Sequence, residues 1–232
     1  MNYKHYFDGE SPEEYKQDIG SYATAQLLRD FAYGRILEVG SGLHKICTNS
    51  DTLDLQGSPT YEGDIQDAPI ASESYDCILM SHVLEHVPND FLAIKECYRI
   101  LRPGGLLVVL SPYHSTGICT TKEVRNNGHI RTYNRSRVLM LESIRFPCIY
   151  YRQVHFIYNL VWNRLKYVIK ALNYTYSTLH KLFTGRKSPY YERFWWNRDA
   201  LIRLFNKADE RFTRNSGNAL FVLQRSEQSS NP

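Results

Sequence analysis

The sequence predicts an α/β fold: a doubly wound, mostly parallel sheet with helices on both faces. Three observations carry this. Largely apolar runs at Arg35–Val39, Tyr75–Ser81 and Gly105–Ser111 lack polar alternation, the pattern of strands buried on both faces. A helical period separates the last two of them. The first run stops at the paired glycines Gly40 and Gly42, where strand must give way to turn.

The elements follow in order. Residues 1–34 read as a helical lead-in: Ser11-Pro12-Glu13-Glu14 supplies a cap, a first-turn proline and acids at the positive end of the dipole, and Ala23–Phe31 gives a second short helical pattern. The core of the domain is expected over 35–142. In it Arg35–Val39 is a strand, Thr52–Leu55 a very short second one, and Tyr75–Ser81 another. Phe91–Leu101 is a helix, with Phe91, Ile94, Cys97, Tyr98 and Leu101 on one face, Asn89 or Asp90 as cap, and Arg102-Pro103-Gly104-Gly105 as its stop. Gly105–Ser111 is the next strand and Asn134–Glu142 a helix. A basic, aromatic, helical insertion is expected over 143–195, a final helix at Trp196–Ala208 and strand at Ala219–Gln224 within 196–225, and a disordered tail over 226–232. Strands alternating with helices in this way imply one domain with crossover helices.

Composition excludes several classes. The chain has 232 residues, 43% apolar and 22% charged, enough to bury a core and too apolar for disorder. No apolar run reaches the 18–20 residues of a membrane span, and the polar start MNYKHYFDGESPEEY lacks a secretory segment. Five cysteines (Cys47, Cys77, Cys97, Cys119, Cys148) form no C-x-x-C pair, which argues for a reducing, cytoplasmic setting. No His/Asp/Glu group has metal-ligand spacing, so no metal is expected.

The motif bearing chemistry is Glu38-Val39-Gly40-Ser41-Gly42. Glycines at a strand end let the backbone turn tightly and approach a ligand, and open α/β sheets bind ligands at the carboxyl ends of their strands. An acid closing the next strand, Asp54, suits the two hydroxyls of a ribose. The landmarks ILEVGSG, TLDL, EGDIQDAPIASESYDCILMSHVLEHV and IKECYRILRPGGLLVVLSP come in a distinctive order. Together, over about residues 33–142, they resemble the type 11 group of class I S-adenosylmethionine-dependent methyltransferases. A dinucleotide dehydrogenase would share the glycines but not the Leu-Arg-Pro-Gly-Gly turn.

The resemblance implies a Rossmann-like fold, S-adenosylmethionine as cofactor, and these roles. Glu38 faces the methionine part or orders the loop around it; Gly40, Ser41 and Gly42 line the cofactor through backbone. Asp54 holds the ribose, Asp64 and Ile65 address the adenine, and Ser81 and His82 stand beside the sulfonium. Two departures are evident: Leu43-His44 replaces the third glycine, and Asp54 follows Gly40 by only 14 residues, against about 20 in a standard unit. The first crossover helix must therefore be shortened or replaced by a loop. Similar short forms occur in methyltransferases of sugar and cell-envelope gene clusters.

Three histidines are candidate bases: His82 at the strand end, His114 in Ser111-Pro112-Tyr113-His114, and His129 in Gly128-His129-Ile130-Arg131-Thr132-Tyr133. In similar enzymes the last segment lies over the active-site mouth. Arg131 then suits an anionic acceptor and Tyr133 lines it, or else the three residues bond backbone and fix the loop. His82 likewise is base or pocket lining, and His86 a cap or packing residue.

Charge is unevenly placed. From Ser143 to Tyr191 lie eight Lys/Arg, twelve aromatics and no acid, so this stretch carries +8 and the rest of the chain −4 by difference. Val154–Leu172 has one narrow polar stripe at Asn159, Asn163, Lys166 and Lys170. That pattern fits a helix lying on an anionic membrane, and equally a lid, core or homodimer contact. Nucleic acid is disfavoured, since no binding module is recognisable. The expected acceptor is a small molecule, saccharide or lipid-linked glycan, methylated on oxygen. The competing reading is a catalytically silent methyltransferase-like partner or membrane-docking subunit.

Overall fold

The structure is a computed structural model, which describes residues 25, 27–42, 45–119, 128–143, 145–154, 182 and 216–227. It divides into two compact units, Met1–Gln153 with Asn215–Pro232, and Val154–Arg214. Residues 1–24, the pair Leu43-His44 and the expected helices Val154–Leu172 and Trp196–Ala208 fall wholly or almost wholly outside the described residues.

The first unit is built on a seven-stranded sheet of order β3-β2-β1-β4-β5-β7-β6. Its strands are β1 (Ile36–Val39), β2 (Asp51–Asp54), β3 (Tyr61–Glu62), β4 (Tyr75–Ser81), β5 (Leu101–His114), β6 (Cys148–Val154) and β7 (Ser216–Gln224). Pairs β3·β2, β2·β1, β1·β4 and β4·β5 are parallel, and β7 runs antiparallel to β5. This is the expected doubly wound, mostly parallel sheet. Between β1 and β4 the chain reverses its direction of winding, and that switch leaves a crevice outside the carboxyl ends of the two strands.

The central strands are apolar on both faces because both faces are covered. Leu37, Leu53, Ile78, Leu79, Met80, Leu107, Val108 and Val109 are all fully or almost fully inaccessible. Burying one such side chain stabilises the fold by about 1.5–3 kcal/mol. Helix α1 (Asp90–Ile100) presents Ala93, Ile94, Cys97 and Ile100 to this core. Asn89 caps it by accepting from the Leu92 amide at 3.2 Å. A second helix, α2 (Arg135–Leu141), buries Val138 and Leu141, and its cap Asn134 accepts from the Arg137 amide at 2.8 Å.

Four details differ from expectation. The Arg102-Pro103-Gly104-Gly105 stretch is part of β5, not only a helix stop; it forms the irregularity in the β4·β5 ladder between the pairs Tyr75·Leu101 and Cys77·Leu106, with Gly104 left-handed at φ 82°. Strand β3 has two residues, too few to show a period. Strand β6 occupies the start of the stretch expected to be a helical insertion, since its Ile and Tyr residues suit an edge strand as well as an amphipathic helix. The tail is not wholly loose: the Ser226 amide donates to the Arg145 carbonyl at 2.9 Å. Among the described residues, no helix is long and apolar enough to cross a membrane.

Candidate active site

The sheet register sets the site. Val39 lies opposite Leu53 on one side and Met80 on the other, so one residue further Gly40 is level with Asp54 and Ser81. The carboxyl edge of the sheet therefore assembles the glycine loop, the acid of β2 and the end of β4. Gly40 and Gly42 are both left-handed, at φ 65° and 55°. A Cβ on Gly40 would lie 2.4 Å from Val83 Cγ2, so only glycine lets the loop sit against the residue after His82. A Cβ on Gly42 would meet nothing within 4 Å among the described residues.

Asp54 ties the loop to β2. Its Oδ2 accepts from the Gly42 amide at 3.0 Å and its Oδ1 from the Leu55 amide at 2.7 Å. Each oxygen keeps a second lone pair for a hydroxyl. Glu38 is 1% exposed, and its carboxylate faces chain rather than groove. It accepts from the amides of Ile46 (2.6 Å) and Cys47 (2.7 Å) and from Ser50 Oγ (2.5 Å). The short first crossover is thus a loop clasped by one buried carboxylate, the loop-ordering alternative for Glu38. Two strands away, Asp64 caps the 3-10 turn Ile65–Asp67, accepting from Gln66 N and Nε2 at 2.9 Å each. Ile65 is buried at its start, which fixes the backbone there.

His82 follows β4 in the left-handed region, φ 56°. Its amide donates to the Leu110 carbonyl at 2.8 Å. Its Nδ1 lies 3.2 Å from Oε1 of Glu85, and Glu85 Oε2 accepts from Ser111 Oγ at 2.6 Å. Burial pushes the Glu85 carboxyl upward, but the bonds from His82 and Ser111 outweigh it and hold the group below the usual range. Sequence reasoning passed over Glu85 and Ser111. The three-residue spacing from His82 to Glu85 was the available signal; Ser111 meets them only through the β4·β5 register, in which Ser81 faces Leu110.

Residues 128–134 form a strap across the turn 82–90. The Ile130 amide donates to the Glu85 carbonyl and the Tyr133 amide to that of Pro112, each at 2.9 Å. Arg131 donates to the carbonyls of Leu84 (3.5 Å), Pro88 (2.7 Å) and Val87. Its Nε is 3.8 Å from Asp90. Tyr133 is inaccessible; its hydroxyl bonds Leu84 O at 3.2 Å and Asp90 Oδ2 at 3.1 Å, and burial raises its pKa. Arg137 completes the cluster, 2.7 Å from Asp90. These contacts are of the loop-fixing kind. His114 is bonded locally, Nδ1 to Thr116 Oγ1 at 2.7 Å.

The strap also gathers Glu85, His86 and His129, whose ligand-type atoms lie within 4.8 Å of one another, a convergence that linear spacing did not reveal. Both Glu85 oxygens already receive hydrogen bonds, and His86 Nδ1 is 3.3 Å from the Gly128 carbonyl.

Comparison with known proteins agrees with this geometry. Residues 23–109 match the family described as "Methyltransferase domain". The chain is 36% identical over 62 residues to a chloroplastic 2-methyl-6-phytyl-1,4-hydroquinone methyltransferase of Oryza sativa subsp. japonica, covering 27% of this chain and 18% of that protein. It thus spans under a fifth of that curated relative's length. An S-adenosylmethionine-dependent methyltransferase from Mesorhizobium loti has the same fold, with TM-score 0.54, 14% identity and coverage of 91% and 100%. So does a phosphoethanolamine N-methyltransferase of Haemonchus contortus in complex with S-adenosyl-L-methionine, with TM-score 0.56, 13% identity and coverage of 89% and 53%. Residues 23–109 are thus similar to the methyltransferase-domain family, and the sheet has the fold of solved S-adenosylmethionine-dependent methyltransferases.

Proposed function

We propose that the protein is an S-adenosylmethionine-dependent methyltransferase that methylates a hydroxyl oxygen of a small molecule, saccharide or lipid-linked acceptor. The observation that supports it most is the level row of Gly40, Asp54 and Ser81 at the topological switch, with nothing among the described residues within 4 Å of a Cβ on Gly42. When bound, S-adenosylmethionine supplies a methyl group already activated by a positive sulfur. The chain then has three tasks. Gly40, Ser41 and Gly42 let backbone approach the cofactor, while Asp54 takes two ribose hydroxyls and Asp64 with the Ile65 backbone takes the adenine. His82 receives the acceptor's proton, with His114 and His129 as the other candidates. Residues that close over the groove exclude water and hold donor and acceptor in line, where proximity supplies much of the rate.

Calorimetry with S-adenosylhomocysteine tests the reading. Binding in the micromolar range is expected, and a well-folded sample that binds none sinks it. The basic stretch 143–191 is the proposed acceptor-side element, for which an anionic membrane or a second copy of the chain is a further partner. Flotation with anionic liposomes at low salt tests the membrane contact; protein left wholly in the unbound fraction counts against it.

A further inference from the structure

His82 has two properties that simple pocket lining does not require. Its backbone is left-handed, a conformation that is costly for a non-glycine residue and persists where the surroundings impose it. Its ring is 40% exposed yet anchored to a side chain that is wholly inaccessible, Glu85. Glu85 is itself anchored by a third residue, for its second oxygen takes the Ser111 hydroxyl at 2.6 Å. The main chain is fixed at both ends of the turn: His82 N bonds Leu110 O, and Glu85 O receives Ile130 N.

We propose that Glu85, seated by Ser111, is the positioning residue for His82: it accepts the Nδ1 proton, fixes that tautomer, and leaves Nε2 as the proton acceptor. The proposal rests on the methyltransferase reading only for the identity of what His82 deprotonates. In the balanced step, the acceptor oxygen forms its bond to the methyl carbon as the carbon–sulfur electron pair goes to sulfur. The hydroxyl proton moves to His82 Nε2, Nδ1 keeps its own proton, and the imidazolium faces an anionic Glu85. A buried carboxylate is costly without a partner, so pairing favours the charged ring just when it forms.

Two other imidazoles lie near Glu85, His86 and His129, each with a ligand-type atom within 4.8 Å of it. His86 directs Nδ1 to the Gly128 carbonyl, 3.3 Å away. His129 packs edge-on against His86 with ring centroids 5.0 Å apart. His129 belongs to the strap and His86 to the turn beneath it, whereas His82 continues the strand edge that carries the glycine loop, Val83 lying against Gly40.

Nitrogen-15 NMR of the full chain with labelled histidine reads the tautomer directly. It is recorded near pH 9, well above the ordinary imidazole range of about 6.5. A His82→Gln sample identifies the signals. The expected result is a proton on Nδ1 in the wild type, moved to Nε2 in Glu85→Leu, with Glu85→Asp restoring part of the Nδ1 form. A wild-type ring protonated on Nε2 overturns the proposal whether or not the variants fold. So does a folded Glu85→Leu protein whose tautomer is unchanged. S-adenosylhomocysteine titrated into the same wild-type sample separates the two readings: no binding with the Nδ1 tautomer intact sinks the methyltransferase reading and leaves the positioning of His82 standing.

Discussion

Single residues in this protein are constrained by what lies one atom away. Gly40 cannot carry a methyl group, since it would meet Val83 at 2.4 Å and sit at φ 65°. Gly40→Ala is therefore expected to cost at least about 1 kcal/mol from the left-handed backbone alone, and to shift Val83 and the neighbouring His82. A thermal melt and S-adenosylhomocysteine calorimetry on the variant check both effects, and an unchanged melt and affinity contradict the packing described. Asp54→Ala removes the carboxylate that holds the Gly42 amide and faces the groove; at least tenfold weaker binding is expected from calorimetry. Tyr133→Phe deletes a buried hydroxyl bonded to Leu84 O and Asp90. Its expected cost is about 1–3 kcal/mol by urea unfolding, with cofactor affinity retained, because Tyr133 fixes the strap rather than the groove.

At the scale of elements, legibility followed burial. Strand β4 and helix α1 stood out because a continuous apolar run and a 3.6-residue period each fit one kind of buried element and little else. The candidate cofactor residues were legible too, since a strand-end glycine pair and a following acid are local signals. What stayed hidden depends on pairs distant in sequence. Ser111 reaches Glu85 across 26 residues, and Arg131 reaches Val87 and Pro88 across more than 40. No local period encodes such contacts. Arg131 left two readings open from sequence, a binder of an anionic acceptor or a loop-fixing residue, and its guanidinium donates to carbonyls of a turn that leads into α1. The clasp made by Glu38 is also an element-scale device: three donors on one carboxylate replace a crossover helix. Glu38→Gln should loosen the loop 45–50, and hydrogen exchange at the Ile46 and Cys47 amides should rise by at least tenfold.

At the scale of the molecule, several carboxylates tie stability to pH in one direction. The Asp51 carboxyl is held low by the Tyr75 hydroxyl and by Arg35. Burial pushes Asp76 up, but the Arg35 amide and Arg102 bring it below the usual range. Glu85 is held low in the same sense. A carboxylate whose folded pKa is depressed contributes stability that is present above its unfolded value, about 3.9 for Asp and 4.3 for Glu, and is lost as pH falls through the folded value. Urea midpoints are thus expected to be level near neutrality and to fall progressively below about pH 4. A midpoint unchanged down to pH 3 would contradict the three sets of contacts.

The antiparallel partner of β5 has a consequence for how the chain is made. Residues 216–224 zip onto Leu106–His114 over nine paired positions and separate β5 from β6. Arg225 then reaches back to the carbonyls of Tyr98 and Leu101 and to Glu73. During synthesis, more than a hundred residues must leave the ribosome after β5 before its free edge is paired. An apolar, unpaired edge is a template for association with other chains, and contacts of such sequence separation form slowly. Among the described strands the last in sequence is the one inserted between β5 and the edge strand β6, so a nascent chain stalled before residue 216 leaves β5 unpaired and is the form of this protein most prone to aggregate.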